Sequence, residues 1–312
     1  MRKFIKWVLI FSLPLIIWFI LVVLVDPYNY FSYGPKIIDN RLKMGISYKL
    51  NRPLFQLLAF KNHPTPSILL GDSRTACLKS EIINKYTKND FTNLAYAGGS
   101  LVDAINTFWL VSKDNKLSDV YIGINFSLFN KYRRLDMVTE DEKLINNFFL
   151  YALNESVFKS TYLILKSLIT GKEIQIGVPA SSKGKFWIFQ LNTIANEQYG
   201  LYEYPSNYYT ELTEISKYCK KNGINLVFFI PPTHTDLQKK VKQFNLQNFD
   251  KKFKNDLEKI GDLYDFDYPS DMTNNYNNFH DPYHFTDSIG EIVVRELFAK
   301  ETDTYVRFKK AL

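Results

Sequence analysis

The sequence predicts an α/β protein whose parallel sheet is covered by helices on both faces. Three observations carry this: short, mostly apolar runs, stretches of helical period lying between and after them, and a helix stop in the expected place. The runs are Ser67–Leu70, Asn93–Ala95, Val120–Ile124 and Leu226–Ile230. They are too short for helices and read as strands buried on both faces. The amphipathic stretches are Leu101–Val111, Tyr208–Lys221, Phe249–Ile260 and Asp287–Phe298, and Asn222-Gly223 closes the second. Strands alternating with helices build a parallel sheet, and ligands then sit outside the carboxyl ends of its strands.

Taken in order, the chain opens with residues 7–25, which carry no charge. As a helix they span roughly 28 Å, close to the ~30 Å hydrocarbon core of a bilayer. Arg2, Lys3 and Lys6 precede the run, so the positive-inside rule keeps the N-terminus cytoplasmic and exports the rest. The run is longer than the apolar core of a signal peptide and ends without a small-residue cleavage site. The expectation is therefore residues 1–25 as cytoplasmic N-terminus and transmembrane anchor. Residues 26–66 follow as a juxtamembrane connector with a short helix around Leu54–Phe60, then an α/β domain over 67–300 and a tail over 301–312. Within the domain, residues 126–224 are too long for one crossover and read as an inserted helical subdomain shaping the cleft.

Composition narrows the class. Hydrophobic residues make up 46% of the chain and charged residues 23%, which rules out wholesale disorder. The net charge is +7, of which Arg2, Lys3 and Lys6 account for three, leaving +4 beyond the anchor. That modest excess suits an anionic surface polymer or lipid headgroup better than nucleic acid, and equally describes a solubilising surface. Two cysteines, Cys77 and Cys219, exclude a disulfide scaffold and a four-cysteine zinc site.

Chemistry is expected just after the strands. The first ends Gly71-Asp72-Ser73-Arg74, where a serine ahead of a helix presents its hydroxyl beside N-terminal amides able to hold an oxyanion. Alone, the same residues describe a turn and an N-cap. The second ends Asn93-Leu-Ala-Tyr-Ala-Gly98-Gly99-Ser100, where glycine permits close backbone approach, or an ordinary tight turn. The third ends Gly123-Ile124-Asn125, placing an amide donor at that edge, or capping a turn. Asp281-Pro282-Tyr283-His284 precedes the last helix. There His284 can take the serine proton while Asp281 orients the ring, although Asp-Pro before a helix is also a common turn.

In order and placement, these four blocks resemble the SGNH/GDSL hydrolase superfamily over roughly residues 67–300. The resemblance implies a three-layer α/β/α, flavodoxin-like fold with no cofactor and no metal. It makes Ser73 the nucleophile and, with Asp281 and His284, the catalytic set. Its oxyanion hole would comprise the Ser73 N–H, the Gly98 N–H and the Asn125 side chain, with Gly99 the lesser choice. Arg74 stands where the family usually has leucine and Phe126 where an aspartate is common; neither position supplies a catalytic group. Anchor and domain together look like cell-envelope accessory proteins such as the D-alanyl transfer protein of teichoic acid loci and the alginate O-acetylation proteins. That likeness implies an acyltransferase or esterase acting outside the membrane on a cell-surface polysaccharide or related envelope polymer. A multi-pass membrane-bound O-acyltransferase would be its partner. A non-catalytic scaffold of the same fold is the alternative.

Other residues bear on binding. Arg74, Thr233 and His234 lie at the expected active edge, the last two in Pro231-Pro232-Thr233-His234, and can line the acceptor site or form a rigid turn. Arg133-Arg134 fits an anionic polymer or a solvated surface pair. His280 and His284 would share a helix face as metal ligands, but Pro282 opposes that geometry. The aromatics Phe186–Phe189 and Tyr199–Tyr209 suit sugar stacking or core packing.

Overall fold

The computed structural model describes residues 2–31, 37–174, 176, 182–299 and 305–311, with the side chains at 2, 3, 5, 6, 8 and 9 outside that description. Six strands form one sheet: β1 (Ser67–Leu70), β2 (Phe91–Asn93), β3 (Asp119–Gly123), β4 (Asn225–Ile230), β5 (Asp262–Asp265) and β6 (Arg307–Lys309). Their order is β2-β1-β3-β4-β5-β6. The first five run parallel, in register at Leu69↔Asn93, Leu70↔Ile122, Gly123↔Phe229 and Ile230↔Asp265. β6 pairs antiparallel with β5. This is the mixed α/β architecture the alternation predicts. The crossovers from β1 to β2 and onward from β3 head toward opposite edges. The carboxyl end of β1 therefore opens at the switch point where α/β sheets bind ligands.

Strand ends differ from expectation for local reasons. β2 stops at Asn93 because that side chain turns the chain: Oδ1 accepts from Ala95 N (2.9 Å) while Nδ2 donates to Thr75 O and Leu78 O. β5 and β6 were not predicted. β5 reads Asp-Leu-Tyr-Asp, and its closing carboxylate is held by Lys254 at 2.7 Å, so its polar ends hide a strand.

Helices begin and stop on readable signals. Leu101–Ser112 starts with a capping box between Ser100 and Asp103. Ser206–Asn222 ends at Gly223, whose φ of 67° is the left-handed stop the sequence predicts. The helix expected over Asp287–Phe298 is α-helical for Asp287–Val294 and continues as π-helix over Arg295–Ala299.

The chain divides into two compact units, Met1–His63 with Val138–Pro179, and Pro64–Met137 with Ala180–Leu312. The segment expected as one insertion, 126–224, is thus shared between them. In the first unit the residues expected as a connector include two helices, Asn40–Leu50 and Arg52–Asn62. Each is capped, by Asp39 and Asn51 respectively. The first helix, Arg2–Val25, contains Pro14. Its Trp18 donates from Nε1 to Ala152 O at 2.8 Å and packs on Phe158. Among the described residues, no helix is long and apolar enough to cross a membrane.

The second unit carries the sheet. A buried aromatic layer that includes Phe91, Phe229, Phe266, Phe279 and Phe285 packs on the strands and under the last helix. Burial of side chains this size, at roughly 25 cal/mol per Å2 of apolar surface, is the main force holding the strand ends in place.

Candidate active site

The structure brings Ser73, His284 and Asp281 together at the carboxyl edge of the sheet. Ser73 is the first residue of a short helix that follows β1, with Asp72 as its N-cap. Ser73 Oγ lies 2.8 Å from His284 Nε2, and His284 Nδ1 lies 2.8 Å from Asp281 Oδ2. Both distances are hydrogen bonds of normal length. With the proton on Nδ1 donated to Asp281, Nε2 is left to accept from the serine hydroxyl.

The loop carrying His284 is pinned at several points. His280 N donates to His284 O at 2.7 Å, and Phe279 bridges Phe285 across its base. Asp281 Oδ1 accepts from the backbone N–H of Tyr283 (2.8 Å) and His284 (3.2 Å). Burial alone would raise the Asp281 pKa; the hydrogen bonds and charge of His284 outweigh it and hold the carboxyl below its ordinary value. Asp281 is therefore the ionised partner that orients the ring. Residues 280–284 form no helix, so the shared face required for a His280–His284 metal pair does not arise.

Two backbone donors sit beside the serine. The N–H groups of Ser73 and Gly98 have no hydrogen-bond partner among the described residues. Gly99 N–H is spent on Tyr96 O at 3.0 Å. Gly98 has φ 78°, a conformation costly for any residue with a Cβ, and it lines the same cavity as Ser73 and His284. The pair of amides has the makings of an oxyanion hole.

Asn125 spends one of its two amide hydrogens on Asp72. It is 2% exposed and does not line the cavity. Its Nδ2 donates to Asp72 Oδ2 at 3.2 Å, and its Oδ1 accepts from Ser127 Oγ (2.7 Å) and Leu128 N (3.0 Å). The physical reason is Asp72: a buried carboxylate needs donors, and Asn125 is one of them. Arg74 supplies the others, through Nε at 3.0 Å, Nη2 at 2.5 Å and its backbone N–H at 3.0 Å. Burial pushes the Asp72 pKa up, but the Arg74 charge and hydrogen bonds bring it below the ordinary value. Arg74 thus borders the cavity already neutralised, its guanidinium over the Tyr283 ring at 5.5 Å.

Thr233 and His234, expected at an acceptor site, do structural work instead. Both are buried and neither lines the cavity. Thr233 Oγ1 donates to Asp267 at 2.6 Å, while His234 Nδ1 accepts from Asp236 N at 3.1 Å as a helix cap. The His234 backbone N–H donates to Pro282 O at 3.0 Å, so this turn braces the loop that carries His284. The cysteines are free; burial pushes the Cys77 thiol up to about 11 and Cys219 to about 12. Trp187 is buried against the His234 ring, with Phe186, Ile188 and Phe189 exposed. Sequence reasoning missed Gln190, Ile194 and Gln198 as cavity walls; nothing in their local pattern marks them.

No protein-family model and no curated protein matches the chain. Among solved structures it is similar to one described as a "putative platelet activating factor" from Streptococcus pneumonia. The identity is 8% and the TM-score 0.37, over 84% of this chain and 94% of that one. The likeness is too distant to bear on fold or function.

Proposed function

We propose that the protein is an SGNH-type serine acyltransferase or esterase, membrane-anchored and facing outward, acting on O-acyl groups of a cell-surface polysaccharide or teichoic-acid-like polymer. The observation that carries this is the continuous hydrogen-bonded chain Ser73–His284–Asp281, at 2.8 Å and 2.8 Å. Anchoring is supported by the uncharged run 7–25 behind three basic residues. It is also supported by the exposure of Phe4, Trp7, Ile10 and Phe11 on that helix, apolar side chains that gain most from leaving water. The acyl donor would come from a membrane-bound O-acyltransferase.

Ser73 Oγ attacks the acyl carbonyl as its proton passes to His284 Nε2, and the Asp281 carboxylate stabilises the imidazolium. The carbonyl oxygen becomes an alkoxide held by the Ser73 and Gly98 N–H groups. Collapse expels the alcohol, which takes the proton from His284 and leaves an acyl-serine. Water or an acceptor hydroxyl then attacks, giving its proton to His284, and the second tetrahedral species releases acid or new ester and regenerates Ser73.

The test is acylation of the surface polymer, with ester hydrolysis as a second readout, in full-length Ser73→Ala and His284→Ala at matched membrane levels. Each is expected to lower the rate by about 10⁴-fold or more. A fluorophosphonate should label the wild type and not Ser73→Ala. Unchanged polymer acylation in well-expressed Ser73→Ala would favour the scaffold and end the catalytic reading.

A further inference from the structure

The cavity at Ser73 has a volume of about 110 Å3, room for an acyl group and one further small substituent. Its charged walls pair off, with one exception. Asp72 and Arg74 neutralise each other, Arg74 Nε and Nη2 both donating to Asp72 Oδ2, and His284 is matched to Asp281. Arg133 also lines the cavity, and its guanidinium has no hydrogen-bond or ion-pair partner among the described residues. Its backbone is fixed, N–H to Asn130 O at 3.0 Å and carbonyl accepting from Tyr208 Oη at 3.3 Å. Burial, and then the like charge of Arg74, press against its ionised form, with the more distant charge of Asp72 opposing them only in part. A partly buried cation without a bonded counter-ion is costly, and an anionic ligand entering the cavity relieves that cost. The planar guanidinium fork matches a carboxylate or phosphate with two parallel hydrogen bonds. Gln198, whose Oε1 accepts from Tyr283 Oη at 3.1 Å, keeps its NH2 as a neutral donor on the same wall.

We infer that Arg133 is the anion anchor of this site and selects esters bearing a carboxylate or phosphate within one small substituent of the reacting carbonyl. The inference rests on the Ser73 chemistry above and adds what the substrate must carry. Arg74 cannot serve in its place, because Asp72 already occupies its fork.

The charge can sit on the alcohol or on the acyl side, and matched ester pairs separate these sources. For the alcohol side the pairs are methyl 3-O-acetylglucuronate against methyl 3-O-acetylglucoside, and 1-O-acetylglycerol 3-phosphate against 1-O-acetylglycerol. For the acyl side the pair is 4-nitrophenyl hemisuccinate against 4-nitrophenyl acetate. Full-length wild type should prefer the anionic member of at least one pair by tenfold or more in kcat/KM. Arg133→Gln should erase that preference, and Arg133→Lys, which keeps the charge but loses the fork, should retain part of it. A wild type that turns these esters over with no anionic preference in any pair overturns the proposal without recourse to variants. So does a preference that survives in folded Arg133→Gln. Calorimetric binding of glucuronate and glycerol 3-phosphate separates this inference from the catalytic one. Arg133-dependent binding without Ser73-dependent turnover sinks the catalytic reading and keeps the anchor. Turnover without any Arg133-dependent preference or binding does the reverse.

Discussion

Replacing Arg74 by leucine, the residue usual after the nucleophile in the superfamily that the motifs resemble, should damage the fold rather than restore a family norm. Asp72 is 3% exposed. Its two oxygens receive four hydrogen bonds, two from the Arg74 guanidinium, one from the Arg74 backbone and one from Asn125. Leucine removes two of these and, among the described residues, the one counter-charge within bonding reach. Breaking a buried pair from one side costs about 3–5 kcal/mol, because the remaining charge is stranded in low dielectric. At ~1.4 kcal/mol per factor of ten, β1 amides that exchange through global unfolding should exchange about 10²–10⁴ times faster. Native-state hydrogen exchange on the full chain, read at Ile68–Leu70, measures this within the sheet-bearing unit itself. The double variant Asp72→Asn/Arg74→Leu removes both charges and should recover at least ~2 kcal/mol relative to the sum of the single changes. A loss below about 1 kcal/mol in Arg74→Leu, or strict additivity in the double variant, would falsify the claim that the two residues are held by mutual neutralisation.

Asn125→Ala should cost about 1–3 kcal/mol by unpairing Asp72, Ser127 and Leu128, measured as a fall in Tm, while kcat drops less than about tenfold. A rate loss near 10²–10³ at unchanged Tm would return Asn125 to the oxyanion hole. Asp250 has its pKa pushed up to about 6, chiefly by burial, with Lys254 opposing. A carboxyl raised in the folded state stabilises fully below the unfolded value near 4, and that contribution is lost as pH rises to about 6. Asp250→Asn should therefore gain on the wild type between pH 4 and 7, by up to about 3 kcal/mol at ~1.4 kcal/mol per factor of ten, visible as diverging Tm curves; parallel curves would count against it. With thiols at about 11 and 12, Cys77 and Cys219 should react with iodoacetamide at pH 8 about 10²-fold and about 10³-fold more slowly than a free thiol. Rapid labelling of the native protein would contradict the raised thiols and the burial of Cys219.

The strands that were legible are those whose apolar runs lie in the middle of the sheet. β1 matches its predicted span, and β3 and β4 each begin one residue before theirs. At one edge, β2 lies two residues ahead of its expected span, and β5 with its edge neighbour β6 escaped notice because both carry charge and are only partly buried. The site was readable where chemistry depends on residue type in short spacing, as in Asp281 and His284, three residues apart on a pinned loop. It was silent where a side chain's partner is distant in sequence. Nothing around Asn125 announces that Asp72, fifty-three positions earlier, will claim its amide. Arg133 was visible only as half of a basic pair, because its significance lies in what does not pair with it.

The discontinuity of the sheet-bearing unit bears on how the chain acquires its structure. β3 and β4 are central neighbours, yet Gly123 pairs with Phe229 across about a hundred intervening residues. For a flexible segment each doubling of length adds only ~0.6 kcal/mol to closure, but the search slows as separation grows. Residues 138–179 group instead with the N-terminal sixty-three, and those partners leave the ribosome first. Local collapse of that first unit would gather part of the excursion into folded structure, shortening the effective tether between β3 and β4 before either can pair. Synthesis order and sheet order then cooperate: β1 and β3 wait as an unfinished template whose exposed β3 edge is covered only when β4 emerges. During that interval the half-built sheet offers an open strand edge to other chains.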